Sequence, residues 1–164
     1  QGMTVKVPGV YDIGELYGLT KDEGHAFVKK FNESAWVGFL PAMRDARSGI
    51  AKLVEHGWTF IAITSLSLDK KAQMLRISNL KNLFGQNVFN EVVCLDTGAN
   101  KDEELIKYEG TGMFWVEDKV ENAECGLRYG LTPILIAHEH NKNHADGIIR
   151  LNDWAAIADH IISN

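Results

Sequence analysis

Two cysteines among 164 residues are too few for a disulfide framework, and their placement gives no metal-ligand spacing. Cys94 lies in an apolar strand-like run and Cys125 in a helix-like run, so both read as buried free thiols of a reducing, cytoplasmic compartment. No run approaches the roughly 18 uninterrupted apolar residues of a membrane span, and the first residues show no basic-then-apolar signal pattern. Neither sign of charge gathers into a block. The 17 Lys plus Arg are scattered among 22 Asp plus Glu, which leaves nothing to track a long nucleic-acid backbone, whereas a small phosphorylated partner is compatible. Internal repeats and low-complexity tracts are missing as well.

What is present suits one globular domain: 45% of the residues are hydrophobic, enough for a sizeable core. Gln1-Gly2 ahead of Met3 resembles the remnant of an engineered protease site, so the natural frame is expected to open at Met3. Short apolar runs at Trp58 to Thr64, Glu91 to Asp96, Gly112 to Asp118 and Pro133 to His138 read as strands buried on both faces, as in a parallel sheet. Amphipathic segments at Arg44 to His56, Asp69 to Phe84, Lys101 to Tyr108, Val120 to Tyr129 and Asn152 to Ile162 alternate with them. Gly57, Gly85 and Gly130 stand where three of those helices stop, the usual left-handed cap position. The alternation predicts a layered α/β fold with right-handed crossovers and a site at the carboxyl ends of the strands. Residues 3–43 differ: a helix over Lys21 to Asn32, capped by Thr20, and the aromatic segment from Ser34 to Pro41 read as a small helical cap on a core formed by residues 44–164. Phe27, Phe31, Trp36 and Phe39 are either core aromatics of that cap or surfaces on which a base stacks.

Polar residues collect at the strand ends. Glu117 and Asp118 close one strand and open a helix, which suits either a hard cation such as Mg2+ or favourable charge at a helix N-terminus. Thr64 and Ser65 close another strand, where hydroxyls hold a phosphate oxygen or cap the next helix. Lys101 opens a helix after a third strand, placed either to neutralise phosphate or to be solvated; Lys107 is a second candidate. His138-Glu-His-Asn-Lys-Asn-His-Ala-Asp146 offers three histidines and two acids without tidy ligand spacing, and reads as a polar loop.

Taken in order, a strand ending in Thr64-Ser65, a helix-opening Lys101 and a strand ending in Glu117-Asp118 resemble motifs two, three and four of the haloacid dehalogenase-like (HAD) phosphohydrolase superfamily. The resemblance spans roughly Phe39 to Ile162 and is most specific in Phe114-Trp-Val-Glu-Asp-Lys-Val-Glu-Asn-Ala-Glu124, which is similar to phage and marine-type members close to the 5'(3')-deoxyribonucleotidases. It implies a Rossmann-like three-layer α/β sandwich and a Mg2+-dependent phosphomonoesterase working through an aspartyl-phosphate. In that scheme one Asp attacks phosphorus and a second, two positions on, serves as general acid and base. Thr64 would bind the phosphoryl oxygen, Ser65 would support the substrate, Lys101 would stabilise nucleophile and phosphate, and Glu117 and Asp118 would hold Mg2+. The substrate would be a small phosphorylated molecule such as a nucleoside monophosphate, closed over by the helical cap.

The family's first motif, an apolar strand followed by Asp-x-Asp-Gly, is absent. Its nearest imitation, Val10-Tyr-Asp-Ile-Gly14, has one acid and no apolar strand before it. The chain therefore reads as a truncated enzyme, inactive by itself, with the central strand of its sheet missing. One expectation is that Thr4-Val-Lys-Val7 fills that place, from its own chain or from the partner in a homodimer. Two other readings compete: a module that holds phosphate or metal without turnover, and a response-regulator-like receiver. The receiver expects its acid pair near the first strand, whereas here the pair follows the third.

Overall fold

The computed structural model describes residues 4–7 and 9–164. Its elements in chain order are α1 (Ile13–Tyr17), α2 (Lys21–Asn32), a 3-10 turn (Ala35–Phe39), α3 (Ala46–Glu55), β1 (Phe60–Ser65), α4 (Lys70–Phe84) and β2 (Phe89–Leu95). There follow α5 (Asp102–Leu105) with a 3-10 turn (Ile106–Tyr108), β3 (Phe114–Glu117), α6 (Val120–Arg128), β4 (Thr132–Ile136), a 3-10 turn (Glu139–Asn141), β5 (Ile149–Leu151) and α7 (Trp154–Ser163). The alternation expected from the sequence is present, and the strands form within two residues of the expected starts.

All pairings are parallel. β1 pairs with β2, and β3 with β4, which pairs in turn with β5. Helices cover both faces, giving three layers. On one face Leu53 of α3 and Ile157, Ala158 and Ile161 of α7 enclose Ile134 and Ile136, with Phe60, Phe114 and Val116 against them. On the other, Leu105, Cys125 and Leu131 gather Ile63 and Trp115. Odd and even positions of β1 and β3 thus serve opposite layers, as the two-residue period of a strand requires. α3 and α7 cross at Gly49, where an added Cβ would stand 2.7 Å from the Trp154 carbonyl oxygen.

The two sheets face each other across an open slot. Trp58, just ahead of β1, meets Phe114 at the start of β3, with ring centroids 5.7 Å apart. At the far end Ser65 and Glu117 are tied to one loop, described below, so β1 and β3 run the same way. Among the described residues no strand lies between them.

Several local features depart from expectation. Thr4–Val7 does not fill the slot: the Lys6 and Val7 N–H groups both donate to the Leu16 carbonyl, at 2.7 and 3.3 Å, which holds this stretch against α1. Asp12, the single acid of the imitation motif, caps α1 by accepting from Glu15 N–H at 2.9 Å. Gly57 and Gly130 take the left-handed φ values of 87° and 69°, but Gly85, with φ 117° and ψ 155°, leaves α4 in an extended conformation rather than the left-handed cap. Cys94 is half-buried rather than buried.

α2 starts on a capping box in which Thr20 and Glu23 bond each other's N–H groups. Its inner side reaches the ends of β1 and β2 through polar groups. Asn32 Nδ2 donates to Leu66 O at 2.8 Å, Glu33 accepts from Ser67 at 2.8 Å, and Lys29 pairs with Asp96 at 3.8 Å. Phe27 and Phe31, on the opposite side of the helix by its 3.6-residue period, consequently stand exposed. Trp36 and Phe39 are also exposed, at 69% and 76%, so these four residues are not the cap's core.

Candidate active site

Of the five residues singled out in the sequence, Thr64 and Ser65 end β1 and Glu117 ends β3 with Asp118 next to it, on either side of the slot, while Lys101 precedes α5 after β2. The loop after β2 joins them. Ser65 Oγ donates to Ala99 O at 2.8 Å, fixing that loop to β1, and two residues later Lys101 Nζ pairs with Glu117 Oε1. Lys101 also lies over the Trp115 ring, 5.1 Å from its centroid. Lys101 is therefore a bridge across the opening and not a solvated lysine. Lys107 points elsewhere, pairing with Glu104 at 2.6 Å on its own helical turn.

Glu117 is 6% exposed and fully engaged. Besides Lys101 it accepts from Asn122 Nδ2 at 3.0 Å and from the backbone N–H groups of Asp118 and Lys119 at 3.0 and 3.3 Å. Burial pushes its carboxyl above the usual range, and the Lys101 ammonium pulls it back. It organises the turn from β3 into α6.

Asp118 is different. Its carbonyl accepts from Asn141 Nδ2 at 2.8 Å and from His140 Nε2 at 3.1 Å, but its carboxylate has no hydrogen-bond partner among the described residues. That carboxylate is the open acid of the pair. Its charge is felt at Tyr11, whose phenol is pushed up to about 12, first by burial and then by the carboxylates of Asp118, Glu117 and Glu121. Tyr11 packs edge-on against His140, ring centroids 5.0 Å apart, with Lys119 Nζ 5.9 Å from its ring centroid.

Asn141, wholly buried, was not singled out in the sequence because it lies within the polar run read as a loop. It is the pin of the site. Its amide donates to Asp118 O and Ile136 O, both at 2.8 Å, and its oxygen accepts from His138 N–H at 2.9 Å and Arg150 Nε at 3.0 Å. The end of β4 and the end of β3 are thereby locked together. Its burial gave no sequence signal, since an Asn in a His-rich polar stretch looks solvated.

Carboxylates, a lysine and hydroxyls at strand ends are groups able to hold a cation or a phosphate. An unpaired carboxylate with negative field around it suits a hard divalent ion that completes its shell with water and phosphate oxygens. Lys101 is paired with the neighbouring Glu117, and Thr64 lies at the end of β1, on the other side of the slot. Among the described residues no group of three or more His, Cys, Asp or Glu converges as an all-protein metal cage.

No protein-family profile matches the chain. A 90-residue stretch, 55% of the chain, is 31% identical to an uncharacterized 32.4 kDa protein of Enterobacteria phage T4 from the Gp30-rIII intergenic region. The match takes in 32% of that relative, so the chain spans about a third of its length. Among solved structures, the D,D-heptose 1.7-bisphosphate phosphatase of B. bronchiseptica, complexed there with magnesium and phosphate, superposes with a TM-score of 0.59 over 74% of this chain and 84% of that one, at 15% identity. The molecule thus has the HAD-like, Rossmann-type α/β fold.

Proposed function

We propose that this chain carries the phosphate and metal site of a HAD-type, Mg2+-dependent phosphomonoesterase, nucleotidase-like in its substrate. The observation that carries the reading is Lys101, on a loop that Ser65 holds to β1, paired with Glu117 next to the open Asp118, in a fold shared with a phosphatase. Mg2+, when bound, neutralises charge on a phosphoryl oxygen. Asp118 is the residue that would hold it, Glu117 keeps Lys101 aimed across the opening, Thr64 offers its hydroxyl to phosphate, and Ser65 anchors the loop that carries Lys101. The exposed Phe27, Phe31, Trp36 and Phe39 are the cap surface for a base.

No described acid stands where a nucleophile would. Asp12 is committed to its helix cap, and the slot between β1 and β3 is empty of the strand that bears the nucleophile in the resemblance. The chain by itself is accordingly a binding scaffold without turnover. Mn2+ titration followed by electron paramagnetic resonance tests the metal assignment. Binding is expected in the parent and in Glu117→Gln, and is expected to vanish in Asp118→Asn. Unchanged binding in Asp118→Asn would remove the basis for the reading.

A further inference from the structure

Lys101 reaches Glu117 from the loop after β2, on a flexible four-carbon stem that the ion pair alone does not fix. A second contact does. Trp115 lies two residues before Glu117 on β3, so its ring stands on the same face of the strand, and Lys101 Nζ sits 5.1 Å from the ring centroid. Between carboxylate and ring the Lys101 side chain is only 12% exposed, and Glu117 is its one hydrogen-bond partner among the described residues. The other donors of the ammonium stay free for a ligand oxygen.

The ring is itself seated by α6. Trp115 Nε1 donates to Asn122 O and the Asn122 amide donates to Glu117 Oε1, both at 3.0 Å, and Oε1 is the oxygen that Lys101 holds. One turn on, Gly126 meets the ring so closely that an added Cβ would stand 2.6 Å from Cδ1 and 3.2 Å from Cγ of Trp115. Gly126 is buried within the helix and outside the left-handed region, where the backbone accepts alanine and the helix gains by it. The ring, and not the backbone, therefore requires glycine there. We propose, building on the phosphate-site reading above, that Trp115 is a positioning residue for Lys101 and that Gly126 is the notch that seats it. Attraction between an ammonium and an aromatic face is strongest when the cation is withdrawn from solvent, as Lys101 is. A Trp115 that merely filled the core of Leu105, Cys125 and Leu131 could give way to another apolar residue without consequence for Lys101.

NMR of the full chain with labelled lysines reads the contact directly, and the ε-methylene protons of Lys101 are expected to be shifted upfield by the Trp115 ring. The shift is expected to vanish in Trp115→Leu, to persist in Trp115→Phe and to shrink in Gly126→Ala, each checked for retained fold by circular dichroism. Titration with inorganic phosphate in the presence of Mg2+ is expected to show binding weakened about tenfold in Trp115→Leu and in Gly126→Ala, and within about twofold of the parent in Trp115→Phe. Lys101 protons without the upfield shift in the parent, or a shift that survives Trp115→Leu, would overturn the proposal. So would parent-like phosphate binding in Trp115→Leu and Gly126→Ala alongside its loss in Lys101→Met. A parent that binds no phosphate yet shows the Trp115-dependent shift would remove the phosphate reading and leave the positioning of Lys101 in place.

Discussion

Lys101 is held between a buried carboxylate and an aromatic face, and its value lies in that pairing. Replacing Lys101 with Met leaves Glu117 buried without a counter-charge, and is expected to cost about 3 to 5 kcal/mol in urea unfolding. The double change Lys101→Met/Glu117→Gln is expected to recover much of that loss, because no uncompensated charge remains. Cys125 supplies a pH prediction. Burial first, and then the Asp102 carboxylate, pushes its thiol from an ordinary value of 9.0 up to about 11. Between those values the folded state binds the proton more tightly than the unfolded chain. Its stabilisation is therefore complete below the ordinary value and is lost as pH rises through about 11. Unfolding experiments across this range are expected to show that loss in the parent and not in Cys125→Ala, and iodoacetamide at pH 8 is expected to leave Cys125 unmodified until the protein unfolds. At this scale hydroxyls, a lysine and paired acids at strand ends are visible in one dimension, and of them Ser65, Lys101 and Glu117 are joined through one loop. The sequence could not separate Glu117 from Asp118. One is consumed by internal bonds and the other is open, a distinction made by Asn122 and Lys101 arriving from elsewhere in the chain.

Elements came through where their apolar pattern was long enough to carry a period. α2 matches its expected span from Lys21 to Asn32, and β1 to β4 follow the apolar runs. The pieces that escaped are short: α1 has five residues and β5 three, with Arg150 at its centre, too few to show periodicity. β5 nonetheless matters, because Arg150 reaches Asn141 and His138 O at 3.0 and 2.9 Å and so joins the sheet edge to the turn that steadies Asp118. Asn141→Ala is expected to leave the Asp118 and Ile136 carbonyls and the His138 N–H short of partners, at about 1 to 3 kcal/mol for each buried group left unsatisfied. Chemical denaturation measures that loss. Mn2+ binding is expected to weaken as well, since the turn no longer holds Asp118 in place. A merely structural asparagine would lower stability and leave metal affinity alone.

For the whole molecule, alternation of buried strands with helices was sufficient to predict a parallel α/β sandwich, and the superposition with a phosphatase of 15% identity agrees with it. The open place between β1 and β3 was expected too, and among the described residues no strand fills it. What sequence could not supply was its shape. Two parallel sheets stand apart with apolar walls intact, and the N-terminal stretch expected to fill the space is bonded to α1 instead. Helices on both faces, clamped by the Lys101 bridge at one end and the Trp58–Phe114 contact at the other, hold the two halves around the opening. Hydrolysis of an aryl phosphate and of deoxynucleoside monophosphates, with and without Mg2+, tests the central claim most directly. The proposed metal and phosphate site, with no nucleophile among the described residues, predicts no turnover by this chain under either condition. Mg2+-dependent turnover that disappears in Glu117→Ala/Asp118→Ala would contradict it, placing a working nucleophile within this chain, with Asp12 the first to be replaced.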